Sequence, residues 1–424
     1  MQHVFARIWS FITAAALFAV SVLGGFFGSG ADKRYFDSLS EAQLNAVLDR
    51  AVSHFYFHSM DEQYLAASKK FVLETGAKYI ARANTMWVMY KSDADLIARQ
   101  AAVIADVHAS APDVIFEACI FETVYTAVEE IPIPAYIFEA FGLEPENRNF
   151  DYESMIFADG KYVDQWCPGG SVPDITRIDT QMFFYYRATL FIDAGFEALH
   201  MGQIHLYAAA DKNYRVTTNL YNMIHAYAAS HARRGWVLLN AHTHGDYGAD
   251  GLLLFDFHTF PSRVNEPKGS VAHPAAAGDP QRVIYGVNEL DSIYGKSRGG
   301  MTHAGWFTDM LPYLVELDNW AGYEPSLLDQ PDRGSIWTWG YDEIRWFANQ
   351  PPGYQAEFLD YAYRWVTCVD GAKGHIAMPG TRTAAINTGG SVAQADFFPF
   401  MPADYPGGSG VQEIIRSVWG TGEK

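Results

Sequence analysis

Three acidic residues stand where short apolar segments end, and each could take part in acid–base chemistry. Glu122 follows Ile-Phe, Asp256 lies in Leu-Leu-Phe-Asp-Phe-His, and Asp318 lies in Val-Glu-Leu-Asp-Asn-Trp. Apolar neighbours would desolvate the carboxyl group of Glu122 and favour the protonated form that a general acid needs. We therefore predict that Glu122 donates a proton and that Asp256 or Asp318 is the base or nucleophile. Alternation along a strand would place Glu316 beside Asp318, where one could orient the other.

A pair of histidines supports a second kind of chemistry. His242 and His244 are two positions apart in Asn-Ala-His-Thr-His-Gly, so on a strand both imidazoles would face one way and could bind one metal ion. The pair resembles the His-x-His signature of metal-dependent amidohydrolases, although there it ends the first strand and here it falls on the fourth. A metal-dependent hydrolase is therefore the alternative. Five further side chains could complete the metal shell: His200, His205, Asp246, His258 and His303.

The composition excludes several classes of protein. Lys and Arg number 30 against 49 Asp and Glu, which gives a net charge of −19. Nucleic acid is excluded as a partner, because phosphate contacts require basic patches. Hydrophobic residues make up 49% of the chain and aromatic residues 15%, enough for a large core. The widely spaced Cys119, Cys167 and Cys368 indicate neither a disulfide scaffold nor a thiolate zinc site.

Residues 1–31 have the order of a secretory signal peptide. Arg7 precedes an apolar run from Ile8 to Phe27, and small residues follow up to Ala31. This order predicts a secreted or periplasmic protein, cleaved near Ala31, that has no membrane contact after cleavage. A retained membrane anchor is the alternative, because the apolar run is about long enough to span a bilayer.

The remaining residues, 32–424, alternate between amphipathic helical patterns and short apolar runs of the buried-strand type. Helices are predicted at Ser40 to His54, Asp61 to Thr75, Asp93 to His108, Thr180 to Ala194, Tyr214 to Ala232 and Gln355 to Thr367. Strands are predicted at Lys78 to Arg82, Val114 to Glu122, Glu197 to Gln203, Trp236 to His242, Leu252 to His258, Tyr313 to Asp318, Ser335 to Trp339 and His375 to Pro379.

Eight strands that alternate with helices predict an α/β fold, a (β/α)8 TIM barrel with parallel strands. Long insertions are expected after the second and fifth of these strands, at Thr123 to Ile175 and Thr259 to Leu311. The pattern indicates a single domain with a C-terminal extension. A doubly wound open sheet is the structural alternative, but no Gly-x-Gly-x-x-Gly motif follows an early strand.

Active sites of such barrels lie at the C-terminal ends of the strands, an end that we call the mouth. Polar and aromatic side chains follow most of the predicted strands. Carboxylates, amides and imidazoles can bind sugar hydroxyls, and indoles can stack on sugar faces. The pattern therefore predicts a carbohydrate substrate. Its contacts are predicted at Arg82, His200, Gln203, His242, His258, Trp306, Trp320, Trp337, Trp339 and Asp342.

The exported chain, the eight-unit barrel and the carboxylates at strand ends together resemble the (β/α)8 glycoside hydrolases. The resemblance is architectural and covers about Lys78 to Arg382, with no motif matched residue by residue. It implies hydrolysis of a glycosidic bond without a cofactor, by two carboxyl groups about 5 to 9.5 Å apart. Besides the metal-dependent hydrolase, a barrel that binds carbohydrate without cleaving it is an alternative.

Overall fold

The computed structural model describes residues 39–53, 62–243, 245–262, 297–317, 347–348, 350–369, 373–387, 392–397, 408 and 410–420. The predicted signal peptide and the predicted strand at Ser335 to Trp339 lie outside these ranges. So do six residues proposed for the site, namely His244, Asp318, Trp320, Trp337, Trp339 and Asp342. Among the helices within these ranges, none is long and apolar enough to cross a membrane.

Helices alternate with short strands along most of the described chain. The helices are α1 (Glu41–Leu48), α2 (Glu62–Thr75), α3 (Asp93–Ser110), α4 (Ala135–Ala140), α5 (Ile178–Asp193), α6 (Ile204–Tyr207), α7 (Arg215–His231), α8 (Pro352–Val369) and α9 (Gln412–Val418). The barrel strands are β1 (Ala51–Ser53), β2 (Tyr79–Asn84), β3 (Ile115–Cys119), β6 (Ala198–His200), β7 (Leu238–Ala241), β8 (Phe257–Pro261), β11 (Tyr313–Glu316), β12 (Gly374–Ile376) and β13 (Met378–Pro379). Antiparallel pairs are formed by β4 (Val124–Tyr125) with β5 (Gly170–Ser171), β9 (Gly300–Met301) with β10 (Phe307–Thr308), and β14 (Arg382–Asn387) with β15 (Val392–Phe397).

The large sheet is a nearly closed parallel barrel. Its strand order is β12-β11-β8-β7-β6-β3-β2-β1-β13. β12 pairs with β11 at one edge and β13 pairs with β1 at the other, and only Ala377 separates β12 from β13. One short stretch of chain therefore joins both edges of the sheet. The prediction of a parallel α/β barrel is confirmed.

Alternate strand residues face the barrel interior and the surrounding helices. One buried cluster joins residues from all around the barrel: Ala51, Tyr79, Ile115, Ala198, Leu238, Phe257, Leu314 and Ala377. Leu44 and Leu48 of α1 belong to the same cluster, so α1 covers the N-terminal end of the barrel. A second and larger cluster joins the outward residues, such as Ile80, Phe116 and Val315, to the helices.

Two of the predicted elements are wrong in their bounds. The helix predicted at Ser40 to His54 ends at Leu48, and Ala51–Ser53 is instead the first barrel strand. Three residues are too few to show a strand pattern, and their pairing with β2 and β13 decides their conformation. The strand predicted at Leu252 to His258 begins only at Phe257, because the apolar residues before it are buried in a turn.

The connection between β3 and α5 builds one side of the mouth. It contains the β4–β5 pair, a 3₁₀ turn at Thr126–Glu130 and α4. The sequence analysis did not predict β1. Its second and fifth strands are therefore β3 and β8, which are the third and sixth barrel strands along the chain. Most of the connection between β8 and β11 lies outside the described residues.

A buried arginine in α5 holds the chain that leaves β2 and β3. Arg187 donates to the carbonyl oxygens of Ile120 (2.6 Å), Met86 (2.7 Å) and Cys119 (3.0 Å). Burial lowers the pKa of Arg187 to about 10. These three bonds attach α5 to the two strands that supply the site described below.

Replacing this arginine tests whether the three bonds support the fold. We expect Arg187→Met to lower the free energy of unfolding by about 3 kcal/mol or more, because each buried carbonyl left without a donor costs about 1–3 kcal/mol. Urea unfolding measures the change. Arg364→Met is the control: Arg364 forms an exposed pair with Asp360, and its loss should leave stability nearly unchanged. Equal stability of the two variants would contradict this role.

Candidate functional site

Arg82 crosses the mouth from a distorted part of β2. Its φ of 54° is left-handed, and it lies in a region where the β2–β3 register is interrupted. Its Nε donates to Glu316 Oε2 at 2.8 Å, and its Nη2 donates to Glu316 Oε1 and, at 3.2 Å, to His242 Nε2. The guanidinium also lies over the Phe121 ring, 5.6 Å from its centre. Arg82, Glu316 and His242 form what we call the floor of the mouth.

A buried carboxyl group beneath the floor fixes the Arg82 backbone. Glu117 accepts hydrogen bonds from the Arg82 N–H (2.9 Å), the Tyr79 hydroxyl (2.6 Å) and Asn240 Nδ2 (2.6 Å). Burial raises the pKa of Glu117, against the effect of these donors and of the Arg82 charge. A non-glycine residue in a left-handed conformation is strained, and strain of this kind is common at functional sites. Here the bond to Glu117 stabilises it.

Two histidines lie side by side in the barrel. The rings of His200 and His242 are edge to face, 4.7 Å apart. His200 Nδ1 donates to Asn240 Oδ1 at 2.7 Å, and burial lowers the pKa of His200 well below its usual value, with Arg82 and His242 adding to the effect. His242 Nδ1 donates to the Thr259 carbonyl at 3.0 Å, which leaves its Nε2 to accept from Arg82.

This geometry bears on the metal alternative. Both ring nitrogens of His242 are engaged, and the group at Nε2 is a cation. Within the described chain, no group of three or more His, Cys, Asp or Glu side chains is arranged to hold a metal ion. His244 lies outside the described residues. The observed contacts therefore favour His242 as a residue that orients Arg82.

Glu122 lies beyond the end of β3 and is held by the residues that follow β6. It exposes 3% of its surface. The Gln203 backbone N–H donates to Oε2 at 2.8 Å, and Gln203 Nε2 donates to Oε1 at 2.9 Å. Gly202 makes this approach possible: its φ is +71°, and a Cβ there would lie 1.8 Å from Glu122 Oε2.

Aromatic side chains lie next to the backbone of Glu122. The ring of Trp87 lies 4.8 Å from that of Phe121 and 5.3 Å from that of Trp166. Trp87 Nε1 donates to the Tyr125 hydroxyl at 2.8 Å, and Trp166 Nε1 donates to the Glu122 carbonyl at 3.4 Å. Both tryptophans are partly exposed. They form a partly exposed indole pair next to the Glu122 backbone.

A second polar cluster lies past the end of β7. Asp246 accepts hydrogen bonds from the Tyr214 hydroxyl at 3.1 Å and the Thr243 hydroxyl at 2.5 Å. The Tyr214 hydroxyl also lies 3.1 Å from His205 Nδ1, and His205 Nε2 lies 3.7 Å from Asp246 Oδ2. The Asp246 side chain is 13% exposed and that of His205 is 61% exposed, so this cluster forms part of the rim.

The structure brings some of the predicted site residues together and separates others. Arg82, His200 and His242 meet at the floor, and Glu122 and Gln203 lie beside it, linked to Arg82 and His200 through Phe121.

Three predicted residues are not at the mouth. Asp256 comes immediately before β8 and accepts from the Leu239 N–H, so it lies at the N-terminal end of the strand. His258 bonds Ser297 at 2.7 Å and shares the outward face of β8 with Phe260. Trp306 packs against the inner cluster that α1 covers. The roles predicted for Asp256 and His258 relied on a strand that begins at Leu252, whereas β8 begins at Phe257. The role predicted for Trp306 assumed that its loop reaches the mouth.

The site also contains residues that the sequence analysis did not select. Glu117 is a charged residue inside the apolar run Val-Ile-Phe-Glu-Ala-Cys, and this is a usable signal for a buried functional network. Trp87 and Trp166 lie in connections with no periodic pattern, and Tyr214 stands at the start of a predicted helix, where periodicity indicates packing and not a site. Gly202 is required only because Glu122 approaches it, so the sequence alone carries no signal for it.

Comparison with known proteins gives little information about relatives. No protein-family model matches the chain, and no curated protein matches it. Among solved structures, the chain is similar to the isomalto-dextranase of Arthrobacter globiformis T6, determined in complex with panose. The identity is 12% and the TM-score is 0.31, over 51% of this chain and 40% of that one. The chain thus matches less than half the length of that enzyme.

The close approach of Gly202 to Glu122 is testable with a matched pair of substitutions. Gly202→Ala introduces both left-handed strain and a clash, so we expect it to lower the free energy of unfolding by about 3 kcal/mol. Gly160 has a similar φ of +79° but open space around it. Gly160→Ala should therefore cost only the strain, about 1 kcal/mol. Urea unfolding of both variants checks this, and equal losses would contradict the clash.

The burial of Asp256 predicts that the free energy of unfolding depends on pH. Burial raises its pKa to about 7 in the folded chain, against 3.8 as the ordinary value. Between these values folding takes up a proton, so stability falls as pH rises, by up to about 1.4 kcal/mol per pH unit. Asp256→Asn keeps an acceptor for the Leu239 N–H and has no such titration. It should match the wild type near pH 4 and be more stable above pH 7.

Urea unfolding of the wild type and Asp256→Asn across this pH range measures the difference. A stability difference that is constant with pH would show that the carboxyl group is not held neutral by the fold.

Proposed function

We propose that the protein is a hydrolase that cleaves a glycosidic bond at the mouth of the barrel, with Glu122 as one of its two catalytic carboxyl groups. The observation that carries this proposal is the Glu122 carboxyl group, which Gln203 holds in place, on a residue whose backbone carbonyl contacts a partly exposed indole pair, Trp87 and Trp166. Indole faces stack on sugar rings, and paired carboxyl groups hydrolyse glycosidic bonds. The signal-peptide pattern of residues 1–31 adds support, because extracellular polymers are the expected substrates of an exported enzyme.

The charges at the mouth favour an uncharged sugar. Arg82 is a cation at the floor, but Glu316 binds it through both carboxyl oxygens. Glu122 and Asp246 add acidic groups nearby, in a chain of net charge −19. An anionic substrate, such as a uronic acid polymer or a sugar phosphate, would meet like charge. We therefore propose a neutral glycan as the substrate.

The partners of Glu122 indicate its role. Both of its oxygens accept from nitrogen donors of Gln203, and an amide N–H can donate but not accept. Such a setting suits an ionised carboxylate. We therefore propose that Glu122 activates water or attacks the anomeric carbon, a role that differs from the proton donor expected from its apolar neighbours in the sequence.

The floor supplies a rigid base for this chemistry. Arg82 and Glu316 expose 5% and 1% of their surfaces. A buried ion pair with bonds to both carboxyl oxygens leaves few alternative positions for the guanidinium. In the proposed enzyme these residues position the substrate against Glu122, and they take no part in proton transfer.

Glu122→Gln tests the proposal. A panel of para-nitrophenyl glycosides and matching neutral oligosaccharides should show cleavage by the wild type, resistant to chelator. The variant should lose activity by about 10²-fold or more, because its amide cannot act as base or nucleophile. Glu129→Gln, at an exposed position of the 3₁₀ turn, is the matched control and should keep full activity.

Thermal unfolding of both variants shows whether the fold is intact. Full activity of Glu122→Gln would refute its role. Loss of wild-type activity with chelator, restored by a divalent metal, would favour the metal-dependent alternative instead.

A further inference from the structure

We infer that Asp246 is the second catalytic carboxyl group and donates the proton to the leaving oxygen. This inference rests on the proposed function, in which Glu122 is the partner carboxylate. Asp246 lies past the C-terminal end of β7, and Glu122 lies past the same end of β3. Both strands pair directly with β6, so the two acids flank the segment that follows β6.

That segment contacts both acids. Gln203 holds the two oxygens of Glu122, and His205, two residues later, has its Nε2 3.7 Å from Asp246 Oδ2. Both residues belong to the start of α6, where Gln203 is the residue before Ile204. Residues 203 to 205, at the N-terminal end of α6, therefore lie between the two acids.

Two buried tyrosines, Tyr207 of α6 and Tyr221 of α7, also lie within the electrostatic reach of the two acids. The hydroxyls of Tyr207 and Tyr221 are 2.5 Å apart. Burial raises the pKa of Tyr207 well above its usual value, and the charges of Tyr221 and Glu122 add to this. Burial likewise raises the pKa of Tyr221, and the charge of Asp246 contributes. Glu122 and Asp246 therefore act electrostatically on two hydroxyls that touch each other.

Two other acidic residues near the mouth are already engaged. Both oxygens of Glu316 are bound by Arg82, and its side chain is 1% exposed. Glu117 is equally buried beneath the floor, where three donors bind it. Asp246 is more exposed than either, with 13% of its side chain accessible to solvent, which suits the group that donates to the glycosidic oxygen.

The partners of Asp246 suit a group that changes protonation during a reaction. Tyr214 and Thr243 contact it through hydroxyls, which can accept a hydrogen bond as well as donate one. They can therefore bond to the carboxylic acid and to the carboxylate. The nitrogen donors on Glu122 cannot accept a hydrogen bond from a carboxyl O–H, and for this reason we place the transferred proton on Asp246.

In the proposed reaction, water attacks the anomeric carbon directly. Asp246 gives its proton to the glycosidic oxygen as the bond from that oxygen to the anomeric carbon breaks. Glu122 takes a proton from the water that adds to this carbon, and solvent returns the proton to Asp246. One water molecule is consumed, and one glycosidic bond becomes two hydroxyl groups.

The dependence on the leaving group tests this assignment. A para-nitrophenolate leaves without a proton, whereas a sugar alkoxide needs one. Asp246→Asn should therefore lose about 10²-fold or more in kcat on a neutral oligosaccharide but less than about 10-fold on the para-nitrophenyl glycoside of the same sugar. Glu122→Gln should lose activity on both. Retained cleavage of the aryl glycoside also shows that the Asp246→Asn site is folded.

Asp250→Asn is the matched control, an exposed acid in the same loop that accepts from the Leu252 N–H. It should keep both activities. If the wild type cleaves glycosides and Asp246→Asn keeps its full rate on the oligosaccharide, the assignment of Asp246 is wrong while the proposed function stands. If the wild type cleaves no glycoside of either kind, both are wrong.

Discussion

A buried cation determines the arrangement of the mouth. Arg82 needs a carboxylate because an isolated charge in the protein interior is strongly unfavourable, and Glu316 provides it from the far side of the barrel. Breaking such a pair by removing one partner costs about 3–5 kcal/mol. Glu117 holds the Arg82 backbone in its left-handed conformation. His242 and Phe121 both contact the guanidinium. Phe121 is the residue before Glu122, so Arg82 also helps to position Glu122.

Much of the fold follows from pattern alone. The amphipathic helices α2, α3, α5, α7 and α8 were predictable within small shifts at their ends, because each buries one face against the barrel. The short strands were less predictable. Ala51–Ser53 forms a strand because two neighbours pair with it, and Leu253, Leu254 and Phe255 are apolar because they are buried in an irregular segment before β8. In both places tertiary contacts, which lie far away in sequence, override the local signal.

The site was predictable where strand ends determine it. His200 ends β6, Arg82 lies near the end of β2 and Glu122 follows shortly after β3, so the shared direction of parallel strands brings them together. Asp256 was expected at the mouth because the strand was predicted to begin at Leu252. The strand begins at Phe257 instead, and this places Asp256 at the opposite, N-terminal end of the barrel. Trp87 and Trp166 lie in irregular connections, whose course depends on bonds such as those of Arg187. No periodicity in the sequence encodes that course.

Closure of the barrel at Ala377 has a consequence for biosynthesis. β1 gains its second neighbour only when β13 arrives, more than three hundred residues later in the chain. Until the ribosome has released residue 379, one edge of the growing sheet stays unpaired, and such edges template aggregation. A protein of this topology would therefore depend on delayed folding during synthesis, and chaperones that shield nascent strands should affect its yield more than its final stability.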